Sequence, residues 1–498
     1  MATETVNVQK DALVQTQEAD EFSALLKQSF KPRTERAATE ITNAVNTLVE
    51  QALGDASLVK TDVIDTIEEM IAQLDKKLSA QMNEILHAPE FQQIESAWRG
   101  LNYLIFQSET DAQLKIRVMN VSKSELYRHL RQYPNAAWDQ SSLFKKIYEE
   151  EFGQLGGQPY GCLIGDYSFS HLPVDVQLLR DISRIAGAAH APFFAAADAT
   201  LMGMDSWTEL MNPRDLSKVL DTPEYAAWKS LRDSDDARYV GLCLPRVLAR
   251  LPYGAKTEPV AEFAFEEETD GHKGEKYAWM NAAYAMAANI NRAFKEYGWC
   301  ARIRGVQSGG EVEDLPVHTF PTDDGGVDLK CPTEIAITDR REAELAKAGL
   351  IPLIHRKNTD RAAFIGAQSL YRPRAYQNNP EATASSNLSS RLPYMFAVCR
   401  FAHYLKCIVR DKVGSYYETE QLRRWLTNWI NEYVDGDPVN STEATKCRRP
   451  LAGASITITE NEENPGYYSA MFDLRPHFQL EGMDIGLRLV SRLPAATK

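Results

Sequence analysis

Between Tyr160 and Leu244 short apolar runs alternate with stretches of helical spacing, and this alternation restricts the chain to few folds. Tyr160–Gly165, Phe193–Ala197 and Tyr239–Leu244 have strand length. Val176, Leu179, Ile182 and Ala186 recur at helical spacing between the first two, and Tyr225–Leu231 reads as a helix before the third. Strands that alternate with helices predict a largely parallel sheet, covered on both faces.

The rest of the chain is built around that core. Its 498 residues exceed one ordinary core and predict two or three domains. Ahead of the strands, Ile41, Val45, Leu48 and Val49 mark one helix, and Val63, Ile64, Ile67, Ile71, Leu74 and Leu78 another. Pro89 opens a third, carrying Phe91, Ile94, Trp98, Leu101 and Ile105, and all three stripes read as packing faces. Glu266-Glu267-Glu268 reads as a solvated loop, and a long helix is expected over Tyr277–Tyr297. Asp323–Gly326 is a hairpin turn signal, and Asp339 with Glu342 has capping-box spacing in a helix that Gly349 ends. Asn378–Ser390, rich in turn formers, is the expected main boundary. The predicted class is α/β (mixed α+β) and multi-domain. Residues 1–60 form a tail and arm, 61–378 a helical and α/β core, and 379–498 a C-terminal domain.

With 44% hydrophobic and 25% charged residues the chain is globular, and its net charge of −14 disfavours nucleic acid or anionic membrane as a general partner. No apolar run is long enough to span a bilayer and the N-terminus has no signal layout, so a cytoplasmic location is expected. Seven cysteines without Cys-x-x-Cys spacing, with Cys162, Cys243 and Cys399 in apolar surroundings, read as small core residues of a reducing compartment.

Three stretches are candidates for contacts with other chains. From Ser455 to Leu493, strand-like alternation occurs three times. Ile456 and Ile458 lie on one face, then Tyr468, Ala470, Phe472 and Leu474, then Ile485, Leu487 and Leu489. Asn464-Pro465-Gly466 turns between the first two. An unclosed set of strands has an edge that invites pairing with another chain, and the same pattern fits a hairpin folded onto its own domain. Near the N-terminus, Phe22, Leu25 and Leu26 share a helical face that starts on acidic residues and stops at Lys31-Pro32. Each such side chain contributes roughly 1.5–3 kcal/mol on burial, enough for a reversible docking helix or for packing on its own domain. In the helix expected over Pro393–Val413, His403, Lys406 and Arg410 line up opposite an apolar side. They read as a solvated basic face or as a patch meeting an acidic neighbour.

Catalytic signatures are sparse. No phosphate loop follows the first strand, the serine of Gly305–Gly309 is one place off a nucleophile elbow, and the nine histidines lack metal-ligand spacing. Asp166, Ser168, Ser170 and His171 cluster at a strand end, where α/β active sites often lie. They carry the rival reading of a cytosolic α/β enzyme. No catalytic, cofactor-binding or metal-ligating residue is assigned.

Several long motifs resemble one family. His87–Leu101, with Pro89, Phe91, Trp98 and Gly100, is similar to the type VI secretion contractile sheath large subunit, the TssC/VipB family. So are Ile164–Tyr167, Ala189–Phe193, Leu244–Arg246, Leu251–Gly254, Lys330–Glu334, Arg400–Lys406 and Leu474–His477. The resemblance runs from about Pro89 to Pro494. It implies a structural protein and a contractile-tail-sheath-like fold, with a C-terminal sheet that exchanges strands between subunits. The implied partners are a small sheath subunit (TssB/VipA), further copies of the chain, an inner tube of Hcp, a baseplate and the AAA+ unfoldase ClpV. Phe22, Leu25 and Leu26 would then meet the unfoldase, while Phe472, Leu474, Ile485, Leu487 and Leu489 would lie in the shared sheet. His403, Lys406 and Arg410 would contact the inner tube or a neighbouring subunit.

Overall fold

The computed structural model describes residues 36, 39, 43, 63–212, 215–322, 324–412, 419–460 and 468–479. Ile41, Val45, Leu48 and Val49 of the first expected helix, the docking residues Phe22, Leu25 and Leu26, the 464–466 turn and the third strand with Ile485, Leu487 and Leu489 lie outside them.

Contacts divide the chain into two units, one of residues 1–94 with 251–277 and one of residues 95–250 with 278–498. In the first unit, helix α1 (Val63–Leu86) and the start of helix α2 (Pro89–Phe106) hold the 251–277 segment. Asn83 works in both directions. Its Nδ2 donates to the Glu266 carbonyl at 3.4 Å and its Oδ1 accepts from Glu268 N at 2.9 Å. The triple glutamate is therefore not a freely solvated loop. Glu267 is buried and takes the Tyr253 amide at 2.8 Å.

The second unit contains the predicted sheet. Helix α3 (Lys123–Arg131) precedes strand β1 (Leu163–Phe169), helix α4 (Pro173–Ala189) and strand β2 (Phe193–Ala197). Helix α5 (Ala226–Arg232), strand β3 (Val240–Leu244) and helix α6 (Ala282–Tyr297) follow. Next come strand β4 (Glu311–Val312), the hairpin of β5 (His318–Pro321) and β6 (Val327–Lys330), helix α7 (Asp339–Lys347), and strands β7 (Leu350–His355) and β8 (Ala362–Phe364). The six-stranded sheet has the order β1-β2-β3-β7-β8-β4, parallel through β7 and antiparallel at β8 and β4.

Strands β2 and β3 are apolar throughout because both of their faces are covered, whereas β1 also carries Asp166 and Ser168. Phe193, Ala195, Leu242 and Leu244 join one core with Val176, Leu179, Ile182 and Ala186 of α4. Phe194, Cys243, Ile351 and Leu353 join the other with Met286 and Ile290 of α6. Alternate residues of one strand thus enter opposite layers. Gly165 allows a close approach across β1 and β2: a Cβ there would lie 2.5 Å from the Phe193 ring. It serves packing, not a phosphate loop. Trp279 and Met280 are extended and Asn281 caps α6, so the helix begins at Ala282 and not at Tyr277, and its alanine-rich start is buried against the sheet.

One local expectation is corrected. Helix α7 has Thr338 at its N-cap with no side-chain cap, so Asp339 and Glu342 form no capping box, although Gly349 adopts the positive φ that ends the helix. The turn formers at the expected boundary open a helix: Asn379 caps α8 (Pro380–Ser389) by accepting from Ala382 N, with Pro380 at its first position. After α8 come helix α9 (Leu392–Lys412), helix α10 (Thr419–Asn431), helix α11 (Glu443–Arg448), and strands β9 (Leu451–Glu460) and β10 (Tyr468–Pro476). Leu392 and Phe396 of α9 enter the sheet core, so by contacts residues beyond 379 share a unit with the sheet.

Candidate functional site

The C-terminal strands form an antiparallel pair of their own. Ile456 stands opposite Phe472, Ala454 opposite Leu474 and Ile458 opposite Ala470, the faces that alternation predicts. Ala454, Ile456, Phe472 and Leu474 are half-buried on a cluster of Trp299, Phe401, Ile430 and Leu451. Trp299 and Phe401 have ring centroids 4.6 Å apart, and Tyr433 closes on Trp299 at 5.4 Å and on Phe401 at 5.7 Å. The opposite face carries exposed Ser455, Thr457, Thr459 and Asp473, with Ser455 Oγ donating to Asp473 Oδ2 at 3.3 Å. The hairpin is thus seated on its own chain by one apolar face. Its edges are a separate matter. Beyond the bridge between Leu451 and Val434, neither β9 nor β10 has a second strand neighbour among the described residues.

The two chain segments that enter and leave the hairpin at its open end are both tied down. At its start, buried Asp435 accepts from Ser441 Oγ at 2.8 Å and Asp437 N at 3.1 Å, with His477 Nε2 3.7 Å from its other oxygen. Burial alone would raise the Asp435 pKa, but these donors and the nearby imidazole hold it below the ordinary value. Past β10, Gln479 receives Arg304 Nε at 2.7 Å, donates to the Ala301 carbonyl at 2.8 Å, and its amide donates to Tyr394 Oη at 2.9 Å.

The basic residues of α9 do not form a solvated face. His403 is 3% exposed, and its Nε2 donates to the Ala189 carbonyl at 2.9 Å. Burial drives its pKa down to about 4. Lys406 Nζ donates to Tyr148 Oη at 2.9 Å and lies 3.7 Å from the Phe152 ring centre. Arg410 donates to the Gln154 carbonyl at 2.5 Å and to the Phe152 carbonyl at 2.8 Å. The face is covered from within by residues 148–154. Sequence reasoning missed the partners, although Phe144, Tyr148 and Phe152 repeat every fourth residue: Phe144 and Tyr148 stack at 4.8 Å, and Tyr148 meets Phe152 edge-on at 5.2 Å.

The rival active site does not assemble. Asp166 sits inside β1, where it accepts from Asn281 Nδ2 at 3.3 Å, and burial raises its pKa. Ser170 donates its N–H and Oγ–H to Asp175 Oδ2, each at 2.8 Å, beside the first turn of α4. His171 turns away, bonding the Thr200 carbonyl at 3.1 Å and stacking on Tyr225 at 4.4 Å. A nucleophile needs a base within hydrogen-bond reach, and no Ser–His bond forms in this cluster. Among the described residues no group of three or more His, Cys, Asp or Glu is placed to hold a metal, and no helix is long and apolar enough to cross a membrane.

Two family models match the chain in tandem. Residues 68–371 match the VipB (EvpB/VC_A0108) tail sheath N-terminal domain, and residues 381–493 match its tail sheath gpW/gp25-like domain. The chain belongs to the TssC/VipB family of type VI secretion sheath large subunits. It is 64% identical over 481 residues to the type VI secretion system sheath protein TssC1 of Pseudomonas aeruginosa, covering 97% of this chain and 96% of that protein. Among solved structures, a chain of the anti-feeding prophage baseplate aligns with a TM-score of 0.37 at 12% identity, over 78% of this chain and 86% of that one. The contracted helical sheath of the same particle aligns with a TM-score of 0.29 at 10% identity, over 62% and 66%. The TssC/VipB family is one of structural sheath proteins, not an enzyme family.

Proposed function

We propose that this chain pairs with a small sheath subunit (TssB/VipA) and, through repeated copies, builds a helical tube around an inner tube of Hcp mounted on a baseplate. Contraction of the sheath propels the tube, and the unfoldase ClpV recycles the contracted form. The protein works in the cytoplasm and catalyses no reaction.

The observation that supports this reading is the C-terminal hairpin: one face seated on Trp299, Phe401 and Ile430, and strand edges without a second partner among the described residues. Main-chain pairing along such an edge links chains while leaving each seated domain free to move as a body. In this proposal residues 379–498 form the assembly domain. Phe472 and Leu474 anchor the shared sheet to its own chain, and Ile485, Leu487 and Leu489 extend it. Residues 1–60 form an arm on which Phe22, Leu25 and Leu26 present the unfoldase contact. Contraction draws on the free-energy difference between two lattices and needs no nucleotide site in this chain.

The test is negative-stain electron microscopy of the full chain co-expressed with its small sheath partner. Hollow ridged tubes that require both chains are expected. Discrete particles under several conditions, with the partner verified as present, would overturn the reading.

A further inference from the structure

Between helices α3 and α4 a recess of about 180 Å³ is lined by Arg131, Arg180 and Arg184 around one carboxylate, Asp181. It is separate from the hairpin and from the α9 contacts. Gln177, Arg180, Asp181 and Arg184 share one face of α4 by helical spacing, and Arg131 comes from the last turn of α3.

The charges in the recess do not balance. Asp181 is taken up mainly by Gln177, whose Nε2 reaches both carboxylate oxygens at 3.0 Å. Arg184 approaches it only to 3.8 Å. Arg180 spends one terminal nitrogen on Ser230 Oγ at 3.2 Å, and its buried Nε has no hydrogen-bond partner among the described residues. Arg131 makes no ion pair among them and lies over the Tyr127 ring at 5.9 Å. Three guanidinium groups against one carboxylate leave an excess of positive charge in a recess of an otherwise acidic protein. Burial raises the Asp181 pKa, against Gln177 and the three arginines, which act to lower it. The volume corresponds to roughly six water molecules, room for one tetrahedral or carboxylate group. Guanidinium forks match such groups with paired N–H donors.

We propose that this recess is an oxyanion-binding site, with Arg131 and Arg184 as the primary donors and Arg180 supporting them. Its ligand is either a free phosphate-type anion or the carboxylate of an acidic side chain on an adjoining sheath chain. The second source rests on the assembly reading; the first does not.

Calorimetric titration of the full soluble chain with inorganic phosphate, matched to chloride at equal ionic strength, separates the two. Saturable binding, weakened about tenfold or more in Arg184→Gln as expected for a lost charged hydrogen bond and tightened in Asp181→Asn, identifies a free anion. Binding that neither substitution changes overturns the site. Without phosphate binding, the decisive readout is tube formation with the small subunit, in conditions where the wild type forms tubes. Loss of tubes in both Arg131→Glu/Arg184→Glu and the neutral pair Arg131→Gln/Arg184→Gln, with the soluble chain's melting temperature preserved, identifies a protein carboxylate. The neutral pair Arg131→Gln/Arg184→Gln guards against misfolding of the reversed variant. No phosphate binding together with normal tubes from the neutral pair overturns the proposal.

Discussion

Lys406 Nζ sits 3.7 Å from the centre of the Phe152 ring while donating a hydrogen bond to Tyr148. A cation over one ring and against the hydroxyl of another is a specific, partly desolvated contact that ties α9 to the 145–154 segment. Replacing Lys406 with Met keeps the apolar stem and removes the charge, and is expected to cost about 1–2 kcal/mol. Urea denaturation of the soluble chain measures it. A change within error would return Lys406 to the role of an ordinary surface residue.

His403 supplies a pH signature. Burial lowers its pKa from 6.5 to about 4, so folding favours the neutral ring. The unfolded chain takes up a proton at higher pH than the folded one. This contribution is therefore complete above about 6.5, lost as pH falls towards about 4, and worth at most roughly 3 kcal/mol. His403→Gln, which keeps a donor for the Ala189 carbonyl, should flatten the dependence of stability on pH over that window. The wild type and the variant are compared in parallel denaturation series, and parallel curves would refute the assignment.

Gly165 meets Phe193 with no room to spare. Gly165→Ala should destabilise the sheet by about 1–3 kcal/mol through overpacking, and Phe193→Leu should recover part of that loss. A double-mutant cycle reads the coupling. Additive effects would mean that the strand shifts to accommodate the methyl group.

For assembly, Leu487→Asp should leave a soluble chain with an unchanged melting temperature and abolish tubes. Normal tubes by electron microscopy would remove the third strand from the proposed shared sheet.

For recycling, Phe22→Ala with Leu25→Ala and Leu26→Ala should permit contraction but lose capture by the unfoldase. Binding equal to wild type in a pull-down on contracted sheaths would place the contact elsewhere.

The layered core is legible where a strand is covered on both faces and apolar at every position, as in β2 and β3. Phe193–Ala197 was found at its observed bounds for that reason. The first strand was placed three residues early, because Asp166 and Ser168 look like loop residues until Asn281 arrives from α6 to satisfy the carboxylate. Helix α8 was hidden by composition: Asn379-Pro380 counts as turn material, yet in that order it caps and opens a helix. The arrangement of α9 shows the limit of periodicity. Spacing correctly grouped His403, Lys406 and Arg410, but what covers them comes from about 250 positions earlier in the chain, a distance that only tertiary folding closes. In the hairpin, alternation identified the face carrying Phe472 and Leu474, while its aromatic seat depends on Trp299, remote in sequence.

Among the described residues β9 and β10 each keep an outer edge, and a two-stranded sheet of that kind is a divalent unit. Where both edges are used, the sockets are not alike, since one belongs to β9 and the other to β10. Divalent units joined through unlike sockets add head to tail and carry no internal instruction to stop. In such a polymer length is a property of its surroundings: the template it grows along, the supply of subunits, or a terminator at its far end must set it.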